Sequence, residues 1–180
     1  MLIWEEIKTV YRRVAGVLKL DPRVFTEIHA DPQSTYQAAA VVYISSLPLA
    51  NQIPGGWVTT LLVPFAFIAW WIVVAFVIYW LATSFFTKED SVPTAFAPVA
   101  RGIGYAMAPR ILQVFLIVLV LPFPLGRIIQ LLTFGWMFAA MAVSTHIALG
   151  RPSYARVTII IALAMLPIII LEPFLLGGQR

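Results

Sequence analysis

Thirty consecutive positions, 57 to 86, read "WVTTLLVPFAFIAWWIVVAFVIYWLATSFF" and carry no charged residue. A helix crosses the hydrocarbon layer with about 20 apolar residues, so this run is long enough to span a membrane with tilt or overhang. Trp57 at one end and Trp80, Phe85 and Phe86 toward the other suit the two interfaces, with Trp70 and Trp71 packed near mid-membrane. The rest of the chain agrees, because 61% of its residues are hydrophobic and 11% are charged. The expected class is an all-α integral membrane protein. Its 180 residues hold one helical bundle without a separate soluble domain.

Four further crossings are expected around this one. Residues 33 to 50 are uncharged and end near Pro48, "ANQIPGG" supplies a turn, and the long run gives a span at 57 to 84. After the polar break "TKEDSVP" come spans at 101 to 122, 127 to 149 and 154 to 176, the last interrupted by Pro167 and Pro173. Residues 1 to 30 precede the bundle as cytosolic helices, and 31 to 180 form the five-helix domain. The first of those helices is amphipathic. Ile3, Ile7, Val10, Val14 and Val17 share a face, with Trp4, Tyr11 and Leu18 at heptad spacing on its flank and Lys8, Arg12 and Lys19 opposite. Such a helix suits the membrane interface or the base of the bundle. Glu5, Glu6, Arg12 and Arg13 interrupt the opening residues, which do not read as a signal peptide. Asp21-Pro22 and Asp31-Pro32 each combine an N-cap with a proline suited to the first helical turn.

Basic residues give the orientation. Lys8, Arg12, Arg13, Lys19, Arg23, Lys88, Arg101, Arg110, Arg151 and Arg156 fall on one side of this topology, and Arg127 and Arg180 on the other. The positive-inside rule then places the N-terminus in the cytoplasm and the C-terminus outside the cell (inner) membrane.

The segment "RGIGYAMAPR", residues 101 to 110, is the unusual one. Only sixteen residues separate Arg110 from Arg127. They rise about 24 Å against a core of about 30 Å, so the span must begin near Arg101 and carry Arg110 about 14 Å inward. An intramembrane cation needs a partner, and Asp31, Glu27 or a lipid phosphate are in reach. Gly102 with Ala106, and Gly104 with Ala108, have small-xxx-small spacing for close helix approach. Pro109 is expected to bend the helix before Arg110. Arg101 is expected at the interface as a surface anchor.

Chemical signals are sparse. There is no cysteine, His–Glu metal spacing or glycine-rich phosphate loop, which argues against an enzyme and leaves no expected metal or cofactor. His146 is expected to be a hydrogen-bonded interface residue, and Glu172 to meet headgroup water or Arg127.

Two stretches carry a family likeness. "DPRVFTEIHADP", at Pro22, Phe25, Ile28, Asp31 and Pro32, resembles the lead-in of prokaryotic members of the Yip (Ypt-interacting protein) domain family, and "GYAMAP" is similar to the family's G-Y-A-x-x-P at Gly104, Tyr105, Ala106 and Pro109. The resemblance implies five membrane helices with a cytosolic N-terminus. Eukaryotic members help organise vesicle trafficking and contact small GTPases, often through a long N-terminal region absent here. The glycine pair that prokaryotic relatives often carry after the second span is replaced by "TKED". The expected function is a non-catalytic scaffold or accessory subunit that binds membrane lipids, another membrane protein or a second copy, with no nucleic acid and no soluble substrate. A small transporter or lipid-translocating protein is the alternative. Lipid or partner contacts are expected at Arg101, Gly102, Gly104, Tyr105, Ala106, Pro109, Arg110 and Asp31, and interfacial contacts at Trp4, Tyr11 and Leu18.

Overall fold

The computed structural model describes residues 2–50, 56–85, 95–114, 123–150 and 152–177, with side chains at 2, 3, 123, 124 and 167–177 left out. Every regular element among them is helical. In chain order these are α1 (Leu2–Leu18), α2 (Pro22–Ala30), α3 (Ser34–Ala50), α4 (Gly56–Phe85), α5 (Phe96–Tyr105), a short 3-10 helix (Ala108–Gln113), α6 (Phe123–Ala148) and α7 (Tyr154–Gly177). The expected breaks at 51–55 and 86–94, the second half of the third crossing, Arg151 and the Glu172 side chain lie outside the described residues.

Two helices, α4 and the Leu125–Ala148 part of α6, are long and apolar enough to cross a membrane by length and composition. In α4, Leu61, Leu62, Phe65, Ile72, Val73, Phe76 and Trp80 are exposed, while Trp71, Val74, Ala75, Ile78 and Ala82 are buried. Large apolar side chains turned outward along one helix fit a bundle whose solvent is lipid.

The α1–α2 corner is closed by backbone chemistry. The N–H of Asp21 donates to the Gly16 carbonyl at 3.0 Å and that of Leu20 to Val17 at 2.9 Å, the paired bonds of a Schellman cap. Leu20 takes the left-handed position, φ 56°, which a residue with a Cβ occupies at a cost of about 1 kcal/mol. Its side chain packs against the core in return. A Cβ at Gly16 would collide with Val24, so α2 lies directly on α1 there. Asp21 then caps α2, accepting from the Arg23 N–H at 3.0 Å with Pro22 in the first turn.

α5 is the centre of the bundle and touches α2, α3, α4 and α6. Its two glycines serve different neighbours. A Cβ at Gly102 would collide with Ser144 Oγ on α6 and His29 Nε2 on α2, whereas one at Gly104 would come within 2.8 Å of Ala38 on α3 and 3.0 Å of Trp71 on α4. The Trp71 indole N–H donates to the Ala100 carbonyl at 2.8 Å and pins α4 to the same helix.

The segment expected to be the third crossing departs from the continuous helix expected over 101 to 122. The α-helix begins earlier, at Phe96, stops at Tyr105, and gives way to the 3-10 segment from Ala108. Pro109 explains the change, since it lacks an N–H and its ring crowds the preceding turn. Gly104 and Ala108 therefore do not share one α-helical face. The α6 helix also starts four residues before the expected 127.

Gly102→Ala and Gly104→Ala should each destabilise the bundle by about 1–3 kcal/mol through overpacking, Gly102 more because a hydroxyl and an imidazole block its Cβ. Gly135, with nothing within 4 Å of an added Cβ, is the control, and its alanine variant should unfold no earlier than wild type. Thermal unfolding of the three variants in one detergent checks the contrast.

Candidate functional site

Arg13 is the most buried charged side chain described, 4% exposed, and it lies among three helices. α1 presents it one turn before Val17, α2 brings Glu27, the α2–α3 junction brings Asp31, and the first turns of α3 bring Ser34 and Gln37. The guanidinium makes five hydrogen bonds. Nε donates to Glu27 at 2.9 Å, Nη1 to Ser34 Oγ at 2.8 Å and Gln37 Oε1 at 2.6 Å, and Nη2 to Glu27 at 2.8 Å and Asp31 at 2.7 Å. Five is the whole donor capacity of arginine. Arg12 adds a two-pronged pair to Glu27 from the exposed side.

The network reaches α5 through one oxygen. Gln37 Oε1 accepts from the Tyr105 hydroxyl at 2.7 Å as well as from Arg13, and Tyr105 is fully buried. Beside it, Arg101 donates from Nε to Thr35 Oγ1 at 2.9 Å and from Nη1 to the His29 carbonyl at 2.8 Å. That carbonyl belongs to the last turn of α2, where a cation also meets the negative end of the helix dipole.

Charge states follow from these contacts. Hydrogen bonds from Arg12 and then Arg13 outweigh burial and hold Glu27 below the usual carboxylate range, and Arg13 with the Gln33 N–H does the same for Asp31. Burial opposes the charge on Arg13, but its bonds to Asp31 and Glu27 prevail and raise its pKa. His29 is driven the other way, down to about 4, by burial first and the Arg101 charge second.

Several expected contacts are redistributed. Asp31 and Glu27, proposed partners for Arg110, are instead engaged by Arg13 and Arg12. The Arg110 guanidinium lies 4.9 Å from the Phe67 ring centre on α4, a cation–π contact. Arg101 is a tie between α5, α2 and α3 rather than a surface anchor. Gly102, Gly104, Tyr105, Ala106 and Pro109 are all buried inside the bundle. On α1, Val10, Val14 and Val17 pack on the core, while Trp4 and Tyr11 are 62% and 76% exposed and Leu18 is half-buried. His146 Nδ1 lies 2.8 Å from the Pro152 carbonyl and its ring stacks on Tyr154.

Sequence reasoning did not single out Arg13, Gln37 or His29. The available signals were the tandem Arg12-Arg13 on a helix with apolar positions 10, 14 and 17, and Ser34 and Gln37 one turn apart at the mouth of an uncharged run. Nothing local pairs residues 14 to 24 positions apart.

The arrangement defines an all-helical membrane bundle whose polar end is locked by an internal charge network. The match to known families is specific: the Yip1 domain model covers residues 15–175, and the chain belongs to that family, membrane proteins linked to trafficking. No curated protein and no solved structure matches it.

Arg13→Gln should destabilise the protein by about 3 kcal/mol because it removes the cation of Asp31 and one of the two on Glu27, while Arg12→Gln, on the exposed side, should cost under about 1 kcal/mol. Both acids have depressed pKa values when folded, so their contribution is complete above about pH 5 and disappears as pH falls through the folded values. Melting curves from about pH 6 to 3 should therefore fall more steeply for wild type than for Arg13→Gln.

Proposed function

We propose that this protein is a non-catalytic membrane scaffold or accessory subunit of the cell (inner) membrane, with five spans, a cytoplasmic N-terminus and an outward C-terminus, that binds lipids or another membrane protein. The observation that supports this reading is the division of labour on α1. Its inward side is consumed by the Arg13 network, while Trp4, Ile7 and Tyr11 stand exposed on the same helix, with Lys8 5.7 Å from the Trp4 ring centre. Aromatic side chains with a nearby lysine suit headgroup depth, so α1 lies at the membrane surface. The small residues of 101–110 bring helices together, and Arg101 and Tyr105 tie that segment to α2 and α3. Arg110, half-buried over Phe67, is the cation of the segment proposed to meet a lipid phosphate.

The basic-residue bias supports the orientation. A cysteine replacing Gly55 should be labelled only from outside and one replacing Asp90 only from the cytoplasm; the reverse pattern would overturn the topology. For function, wild type and a Trp4→Ser/Tyr11→Ser variant are purified in mild detergent and assayed for retained lipid and partner. Wild type should keep a defined lipid or membrane protein that the variant loses. Solute or lipid flux by the pure protein in liposomes would replace this reading with a transporter.

A further inference from the structure

Three helices meet at His29, closely on the side that faces Gly102. Its Nε2 lies 3.1 Å from Ser144 Oγ on α6, and a single Cβ added at Gly102 of α5 would strike both groups. The other ring nitrogen, Nδ1, is buried without a hydrogen-bond partner, as is Thr145 Oγ1 beside Ser144. A neutral imidazole tolerates this, because Nδ1 is then the bare acceptor and Nε2–H donates to the serine. A protonated ring must donate from both nitrogens, and no acceptor faces Nδ1.

The neighbouring charges sharpen the conflict. On α1 and α2, Arg12 and Arg13 are matched by Glu27 and Asp31, two cations with two anions, so that cluster is close to neutral as a whole. From α5 comes Arg101, whose donors go to two uncharged oxygens, Thr35 Oγ1 and the carbonyl of His29 itself. α3 contributes Thr35 and Gln37, and α6 contributes Ser144 with His146, which is turned to Pro152. Arg23, at the far end of α2, is exposed. A second positive charge on His29 would thus sit against Arg101 with its own donor unsatisfied, in a space that Gly102 leaves closed.

We propose that His29 is an acid-operated latch: its protonation releases α2, and with it α1, from α5 and α6. The hinge of the release is built in. Arg13 is tied to α2 through Glu27 and to α3 through Ser34 and Gln37, so an outward shift of the α1–α2 pair keeps the first link and draws Arg13 away from its α3 acceptors. The Schellman-capped corner at Leu20 keeps α1 and α2 together as they move. α4 carries none of these contacts and stays in place. The sign is fixed by the direction of the His29 shift: a neutral-favouring site supports the closed form above the ordinary histidine value of 6.5 and loses that support as pH falls toward 4.

The test is hydrogen–deuterium exchange of the full chain in lipid nanodiscs, as protection factors corrected for intrinsic rate, from about pH 7.5 to 4.5. Amides of α2 and the second half of α1 should lose protection by at least about tenfold while those of α4 and α6 keep theirs, and His29→Gln should abolish the loss over this window. An equal loss in the variant, or simultaneous loss across α4 and α6, would overturn the latch. A second measurement is independent of that variant's folding. With His146→Gln leaving one histidine, the His29 ring is titrated by NMR, and its midpoint must coincide with the opening transition. Titration near 6.5 without opening, or opening without titration, would refute the proposal.

Discussion

A guanidinium buried among helices is either fully paired or ruinous, and Arg13 places the whole polar end of this bundle under that constraint. All five of its N–H groups have acceptors, drawn from α2, the α2–α3 junction and α3. Removing α2 or the junction takes away a carboxylate partner of the buried guanidinium, and removing α3 takes away two of its five acceptors. The placement of α1 and α2 against the bundle is thereby fixed by hydrogen-bond geometry, with valine packing beneath it.

The same reasoning explains why α5, the shortest apolar α-helix here, sits at the centre. Glycine at 102 and 104 removes Cβ atoms from two of its sides, so α2 and α6 close on one and α3 and α4 on the other. Close approach brings the Trp71 indole to a backbone carbonyl and the Arg101 side chain to the end of α2. Pro109 then ends the regular helix before Arg110, and the 3-10 geometry that follows places Gln113 Nε2 2.9 Å from Thr133 Oγ1 on α6. Gln113 and Thr133 thus answer one another inside the bundle, as polar groups in an apolar interior must.

How much of this was legible in the sequence depends on whether a feature is local. The boundaries of α3 and α4 follow from uncharged length and that of α7 from the polar turn before it, and all fall within a residue or two of their expected ends. The capping roles of Asp21 and Pro22 were equally readable, being written within three residues. Depth arguments also made Arg110 conspicuous, yet they paired it with Asp31, because depth ranks candidates by height along the bundle and says nothing of azimuth. Arg13 claims that carboxylate from across 18 residues of chain. His29 carried no sequence signal at all: only the meeting of α2, α5 and α6, residues 29, 102 and 144, makes it unusual.

One oxygen joins the two halves of the network. Gln37 Oε1 accepts from Arg13 on α1 and from Tyr105 on α5, both under 2.8 Å, so a single side chain on α3 reports the position of both. Were α1 to withdraw, the Tyr105 hydroxyl would keep its acceptor but lose the positive charge that polarises it, and the bond would weaken without breaking. The clasp formed by α1 and α2 is therefore coupled to the central helix in graded fashion, whereas its own attachment through Arg13 is closer to all or none. That asymmetry lets the outer pair move while the inner bundle, built on the glycine contacts of α5, holds its packing.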